Sequence, residues 1–470
     1  MKVDQLYTSC LAQGAYFIES EGEAIIIDPL RETQPYLDLA DERKVQIKYI
    51  FETHFHADFV SGHLDLSTKT DAPIVYGPGA KTAFEKIEAK DGQEFKFGKL
   101  TIRVLHTPGH TPESTCYLLL NEENKPHAIF TGDTLFIGDV GRPDLAQKGE
   151  DLTQEDLAAW LFDSLRNKIM TLPDEVIIYP AHGAGSACGK NMSSETQDTL
   201  GNQKKTNYAL RADMTKEEFI KEVNDGLQAP PKYFSENAAL NKKGYDSIDE
   251  VMARGVKPLH ILDFVEIRKQ DDVLILDVRD KTEFVKGHIP GSIFIGLDGS
   301  FAPWVGALIP DINQKLLLVV PEGKAEETVT RLARVGFDHA IGYLEGGLAA
   351  WTDVGLKLSK IETIDGDSLE SLYINDNSIN VLDVRKPGEF EPSHLAIARN
   401  FPLDFINSNL DSFDDSDKTY VHCRSGYRST VACSILQAVG YKNIVNVIDS
   451  FDNLASKDIP TSNLSSVSKK

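Results

Sequence analysis

The chain has 470 residues and a formal net charge of -23, with 41% hydrophobic and 26% charged residues. That length suits about three domains of ordinary size, and the composition lets each bury a normal core. The negative charge argues against nucleic acid or an anionic membrane as a partner, and the longest apolar runs, such as Leu316 to Val320, fall far short of a membrane span.

The first predicted segment runs from residue 1 to 242. It opens on Met1-Lys2-Val3-Asp4-Gln5, which lacks the basic patch and apolar stretch of a secretory signal. Short β-branched runs follow at Ala24–Ile27, Ile47–Phe51, Ile74–Tyr76, Thr101–Leu105, Tyr117–Leu120 and Val176–Tyr179. Separated by polar, glycine-bearing turns, they predict a sheet-rich sandwich with peripheral helices.

The second and third segments repeat each other. Ile275-Leu276-Asp277-Val278-Arg279, with Glu283, Phe284 and His288 after it, returns as Val381-Leu382-Asp383-Val384-Arg385, with Glu389, Phe390 and His394. The spacing is too long for a solenoid and right for duplicated α/β domains. Apolar runs alternating with helical patterns predict mostly parallel sheets. The expected boundaries are 257–357 and 362–462, and Ser462 to Lys470 is expected to fray.

The five cysteines are Cys10, Cys116, Cys188, Cys423 and Cys433. An odd, scattered set is not a disulfide framework and fits a reducing cytoplasm, the expected location. Cys116 and Cys433 lie in apolar runs and are expected to be buried filler. Cys10 is placed on an N-terminal strand.

Chemistry concentrates in two places. In Thr53-His54-Phe55-His56-Ala57-Asp58-Phe59, alternate side chains of an extended chain share one side, so the two imidazoles can face one pocket. His110, Asp133 and His182 each follow a glycine- or proline-bearing turn at a strand end. Imidazole and carboxylate are ligand types for zinc or iron. A lone histidine is more often structural, whereas this ordered set points to a metal. The small-residue loop Gly183 to Lys190 is expected to bring Cys188 near the mouth, and Arg142 and Asp144 to form a structural ion pair. In the third segment, Cys423 opens the loop Cys423-Arg424-Ser425-Gly426-Tyr427-Arg428 between a strand and a helix. Backbone N–H groups and the helix dipole there favour an anion, and Arg424 and Arg428 add positive charge.

These residues carry two resemblances. The histidine string and its partner loops resemble the metallo-β-lactamase superfamily, whose fold is an αββα sandwich. Gly132-Asp133-Thr134-Leu135-Phe136-Ile137, with Gly141-Arg142-Pro143-Asp144-Leu145, looks like its persulfide dioxygenase branch. The resemblance implies one Fe(II) per chain on His54, His110 and Asp133, with His56, Asp58, His182, Cys188 and Arg142 around the substrate or behind the ligands. Dinuclear hydrolases of the superfamily have a second-metal histidine where this chain has Phe59. Two histidines and one carboxylate suit Fe(II) oxygenases, because three coordination positions stay open. The loop from Cys423 resembles the rhodanese active-site loop, with Asp383 and Arg385 matching that family's structural Asp-Val-Arg. The second segment has the rhodanese frame without its cysteine, reading Val319-Val320-Pro321-Glu322-Gly323-Lys324 at that point. It is expected to be an inactive spacer, with the apolar Phe301 to Trp304 stretch packed in a core or docked against a neighbour.

The order dioxygenase, inactive rhodanese, active rhodanese resembles bacterial persulfide dioxygenase–sulfurtransferase fusions. It implies oxidation of low-molecular-weight thiol persulfides by O2 to sulfite, transfer of sulfur from a Cys423 persulfide to give thiosulfate, and a homo-oligomer. A zinc glyoxalase II-like thioester hydrolase fused to a sulfurtransferase is the alternative.

Overall fold

The computed structural model describes residues 1–146, 152–227, 229–413 and 416–463; the tail expected to fray lies, from residue 464 onward, outside the described residues. The chain divides into two units, Met1–Glu250 with Thr330–Phe337, and Val251–Val329 with Asp338–Lys470.

In the first unit two six-stranded sheets face each other. One runs Lys2–Thr8, Gln13–Ser20, Glu23–Ile27, Gln46–Glu52, Ile74–Tyr76, Ile87–Glu88, and the other Asp198–Thr199, Ile177–Pro180, Pro126–Gly132, Thr115–Leu120, Leu100–His106, Glu94–Phe97. All six runs read as strands in the sequence are strands. The period of two decides the layering. Ile25 and Ile27 enter the core between the sheets with Phe51, Tyr117 and Leu119. Their neighbours Ala24 and Ile26 face the outer layer with Tyr36 and Leu66, while Leu118 and Leu120 face the other layer with Leu161 and Phe219. Continuously apolar strands are therefore covered on both faces, and the result is the αββα sandwich. Cys10 departs from expectation: it lies in the turn between Lys2–Thr8 and Gln13–Ser20, because the chain reverses there to pair those strands antiparallel.

The second unit holds two five-stranded sheets, each formed entirely by parallel pairings. The first runs Pro258–Leu259, Ala340–Leu344, Lys315–Val319, Val273–Asp277, Ile293–Phe294, and the second Glu362–Ile364, Ile444–Val447, Thr419–His422, Asn380–Asp383, Ala398–Asn400. The repeated residues have repeated jobs. Arg279 Nη2 donates to Asp277 Oδ2 (2.6 Å) and Gly287 O (2.9 Å), and Arg385 Nη2 does the same to Asp383 Oδ2 (2.6 Å) and Ser393 O (2.9 Å). His288 stacks on Phe284 at 4.0 Å, and His394 on Phe390 at 3.8 Å. Phe301 and Ala302 of the apolar stretch begin a helix, Phe301–Leu308, and are buried. Among the described residues no helix is long and apolar enough to cross a membrane.

One strand end sets up the first site. Strand Pro126–Gly132 breaks register against Ile177–Pro180 between Phe130 and Gly132. Gly132 has φ +52°, and a Cβ on it would lie 2.5 Å from Thr53 Oγ1 and 2.6 Å from Thr53 Cβ. A left-handed residue with side chain costs roughly 1–2 kcal/mol, and the clash adds to it. Gly132→Ala should lower the stability of the first unit by about 2 kcal/mol or more, read as a fall in the midpoint of its chemical denaturation.

Candidate functional site

The histidine string follows strand Gln46–Glu52, and its first residue is pinned by Asp28, which follows strand Glu23–Ile27. Thr53 donates from N to Asp28 Oδ1 (2.7 Å) and from Oγ1 to Asp28 Oδ2 (2.8 Å). With its own proton spent on the carboxylate, Thr53 Oγ1 accepts from His54 Nδ1 at 3.0 Å. His110 Nδ1 donates to the Arg142 carbonyl at 2.8 Å. Both histidines thus keep the Nε2 lone pair for the pocket. Those atoms lie 3.9 Å and 3.4 Å from Asp133 Oδ2, and all three side chains are buried. Burial, then repulsion from neighbouring imidazoles, holds His54 well below the ordinary histidine range, and burial holds His110 down to about 4. Both are neutral imidazoles, the form that binds a metal.

A cation fits this cluster. Both Asp133 oxygens, Asp58 Oδ1 and His182 Nε2 are buried without a well-formed hydrogen bond. Burial, and then the charge of Asp58, pushes the Asp133 carboxyl well above its usual range, so the carboxylate needs a positive partner to stay ionised there. His54, His110 and Asp133 could hold a metal ion.

The remaining predicted residues divide. His182 Nε2 is 3.2 Å from Asp58 Oδ2, and burial pushes Asp58 up to about 6. His56 also reaches the side of Asp58 and His182, yet its Nε2 is 3.1 Å from Asp28 Oδ1 and 3.4 Å from Glu52 Oε2. Burial opposes its charge, but those two carboxylates raise it well above the ordinary range. A protonated imidazole is no ligand. Phe59, with no exposed surface, packs against the His56 ring at 4.4 Å. Arg142 is tied to Asp144 by two bonds of 2.6 Å and 2.7 Å, so its side chain acts on structure while its carbonyl orients His110. Cys188, expected near the mouth, is buried and groups with Asp133 and His182. Burial and the charges of Asp58 and Asp133 push its thiol up.

A cavity of about 600 Å³ opens beside His110, lined also by Phe55, Phe234, Asp144, Lys232 and Lys242. Sequence reasoning missed Asp28, Glu52 and His63. The signal for Asp28 was a carboxylate directly after an apolar strand. Glu52 and His63 meet only in space, at 3.3 Å.

In the second unit Cys423 follows strand Thr419–His422, and Gly426, with φ +83°, caps helix Tyr427–Ala438. Cys423 is buried and its Sγ accepts from Gly426 N at 3.1 Å. Arg424 is exposed. Arg428 gives Nη1 and Nη2 to the Glu389 carboxylate at 2.5 Å and 2.8 Å, and its charge also acts on Cys423. Cys116 and Cys433 are fully buried.

The sandwich and its histidine–aspartate cluster define a metal-dependent class, and comparison with known proteins agrees. Residues 9–182 match the metallo-beta-lactamase superfamily, and residues 262–353 and 367–457 match the rhodanese-like domain. Human mitochondrial persulfide dioxygenase ETHE1 is 32% identical over 168 residues, 34% of this chain and 59% of the relative. The Bos taurus protein is 31% identical over 216 residues, 44% of this chain and 73% of the relative. A probable hydroxyacylglutathione hydrolase of Schizosaccharomyces pombe is 28% identical over 249 residues, 48% of this chain and 91% of the relative. The crystal structure of a metallo-beta-lactamase from Staphylococcus aureus is similar with a TM-score of 0.64 at 32% identity, over 73% of this chain and 98% of that one. The chain belongs to the metallo-β-lactamase superfamily, and it joins a domain with persulfide dioxygenase homologues to two rhodanese-like domains.

Outer partners of metal-binding histidines set ligand orientation and tune affinity about 10–100-fold. Thr53→Val removes the acceptor for His54 Nδ1 and should weaken metal binding by that factor in a chelator competition. Unchanged affinity would show that Thr53 does not orient the ligand.

Proposed function

We propose that the chain is an Fe(II)-dependent persulfide dioxygenase coupled to a sulfurtransferase. The observation that carries the reading is the cluster His54, His110 and Asp133 with Phe59 beside it. A second metal has lost one ligand to Phe59, and His56 is drawn to Asp28 and Glu52. The likeness to persulfide dioxygenases supports the same reading. His54, His110 and Asp133 would hold Fe(II), which when bound would supply the chemistry by which O2 oxidises the persulfide sulfur. Overall, one thiol persulfide, one O2 and one water give one thiol and one sulfite.

The protein groups have separable roles. The cavity beside His110 takes the organic body of a low-molecular-weight thiol persulfide, with Phe55 and Phe234 against apolar parts and Lys232 and Lys242 toward anionic ones. Asp58, whose carboxyl burial raises to about 6 and which lies 3.2 Å from His182 Nε2, carries a proton for the departing thiol. In the second unit, the Cys423 thiolate attacks the outer sulfur of a persulfide, forming an S–S bond as the donor's S–S bond breaks and its thiol leaves with the electron pair. Sulfite then attacks that sulfur, forming an S–S bond as the bond to Cys423 breaks, and thiosulfate leaves. One chain carrying both sites raises the effective concentration of sulfite at the second.

A hydrolase reading keeps some support from the hydroxyacylglutathione hydrolase relative, and metal analysis separates the two: about one iron per chain fits the dioxygenase, two zinc ions the hydrolase. Iron-loaded protein should consume O2 with a thiol persulfide, and absence of uptake would end the dioxygenase reading. Cys423→Ser should retain that uptake and shift the product from thiosulfate toward sulfite.

A further inference from the structure

The cysteine-free rhodanese domain reaches the sulfur-transfer loop of its neighbour within the second unit. Lys281, at the start of helix Lys281–Lys286, donates from Nζ to Ser425 O at 2.6 Å. Tyr427 OH, from the loop, donates to Gly296 O at 2.9 Å. Phe294 N donates to Ser434 Oγ at 2.9 Å, and His288 Nε2 meets Gln437 Oε1 at 2.7 Å. These contacts run along helix Tyr427–Ala438, directly behind the loop.

The Lys281 contact falls on a particular peptide. Ser425 O and Gly426 N belong to the same planar amide. In a trans peptide its C=O and N–H point in opposite directions. The oxygen of this amide accepts from Lys281, and its N–H donates to Cys423 Sγ at 3.1 Å. A cation on the oxygen fixes the orientation of the plane and polarises its N–H toward the sulfur. We propose that Lys281 of the cysteine-free domain is a positioning residue for sulfur transfer, holding the Ser425–Gly426 amide so that its N–H stabilises negative charge on Cys423. This rests on the reading that Cys423 carries the transferred sulfur.

The neighbouring charges leave Lys281 a distinct part. Arg424 is exposed, Arg428 is tied to Glu389, and buried Arg385 and His422 both lie against Asp383. Cys433, on the helix that follows the loop, is buried, and burial pushes its thiol well away from ionisation. The amide N–H donates to the sulfur at 3.1 Å, and the cation behind it comes from the other domain.

The test is single-turnover loading of Cys423 in the full chain with thiosulfate. The thiolate attacks the outer sulfur, an S–S bond forms, the bond to the sulfite group breaks, and sulfite leaves with the electron pair. Mass analysis of the Cys423 peptide reads the added sulfur. Lys281→Met should slow loading about tenfold, the scale of one charge-assisted hydrogen bond, with a smaller change in the thiosulfate concentration for half-maximal rate. Lys281→Arg should restore most of the rate, and Lys286→Met, on the same helix, should match the parent. Equal loading by Lys281→Met and parent would overturn the inference alone. So would a loss not recovered by Lys281→Arg or shared by Lys286→Met. A parent chain that never gains sulfur on Cys423 would overturn both this inference and the sulfurtransferase reading.

Discussion

A buried carboxylate governs the first unit. Asp133 sits at the end of a strand with neutral imidazoles around it and no well-formed hydrogen bond to either oxygen. Desolvating such a charge costs several kcal/mol unless an opposite charge compensates it. The surrounding architecture makes that compensation specific to a cation. Thr53 and the Arg142 carbonyl take the Nδ1 protons of His54 and His110, leaving both Nε2 atoms as donors of lone pairs. Asp28 stands behind this arrangement, holding Thr53 by two bonds. It adopts φ +51°, a conformation aspartate tolerates better than most residues.

The sandwich divides charge between two neighbouring compartments. Asp28 and Glu52 draw His56 away from the cluster and keep it protonated, while His54, His110 and His182 are held neutral by burial. Adjacent histidines are thus biased toward opposite protonation states, and Phe59 packs against the ring of the one beside the carboxylates.

Duplication in the second unit kept the frame and changed the chemistry. Asp277 with Arg279 and Asp383 with Arg385 bridge strand to loop identically, because each buried carboxylate depends on its guanidinium partner. The divergence lies at the loop after the central strand, where one copy has a cysteine and the other has none. The copy without it places Lys281 against the other's loop at Ser425 O.

Much of this was legible in residue order. Alternating apolar runs announced the two sheets, since a strand covered on both faces must be apolar on both. That His54, His110 and Asp133 come together could be read because loops at strand ends meet at one edge, and that Cys423 faces a backbone N–H because it opens a strand-to-helix turn. The duplicated Asp-Val-Arg segments marked the two rhodanese frames. What sequence could not show were meetings between distant residues: Asp28 behind Thr53, Glu52 between His56 and His63, Glu389 paired with Arg428, and Lys281 on the Ser425–Gly426 amide. Cys188 looked like a mouth residue because small residues surround it, yet folding buries it against Asp133. Local pattern determines strands, turns and ligand types, because those depend on neighbours along the chain. Protonation, burial and charge pairing were decided by tertiary structure, because they depend on which groups packing brings within a few ångströms and removes from water.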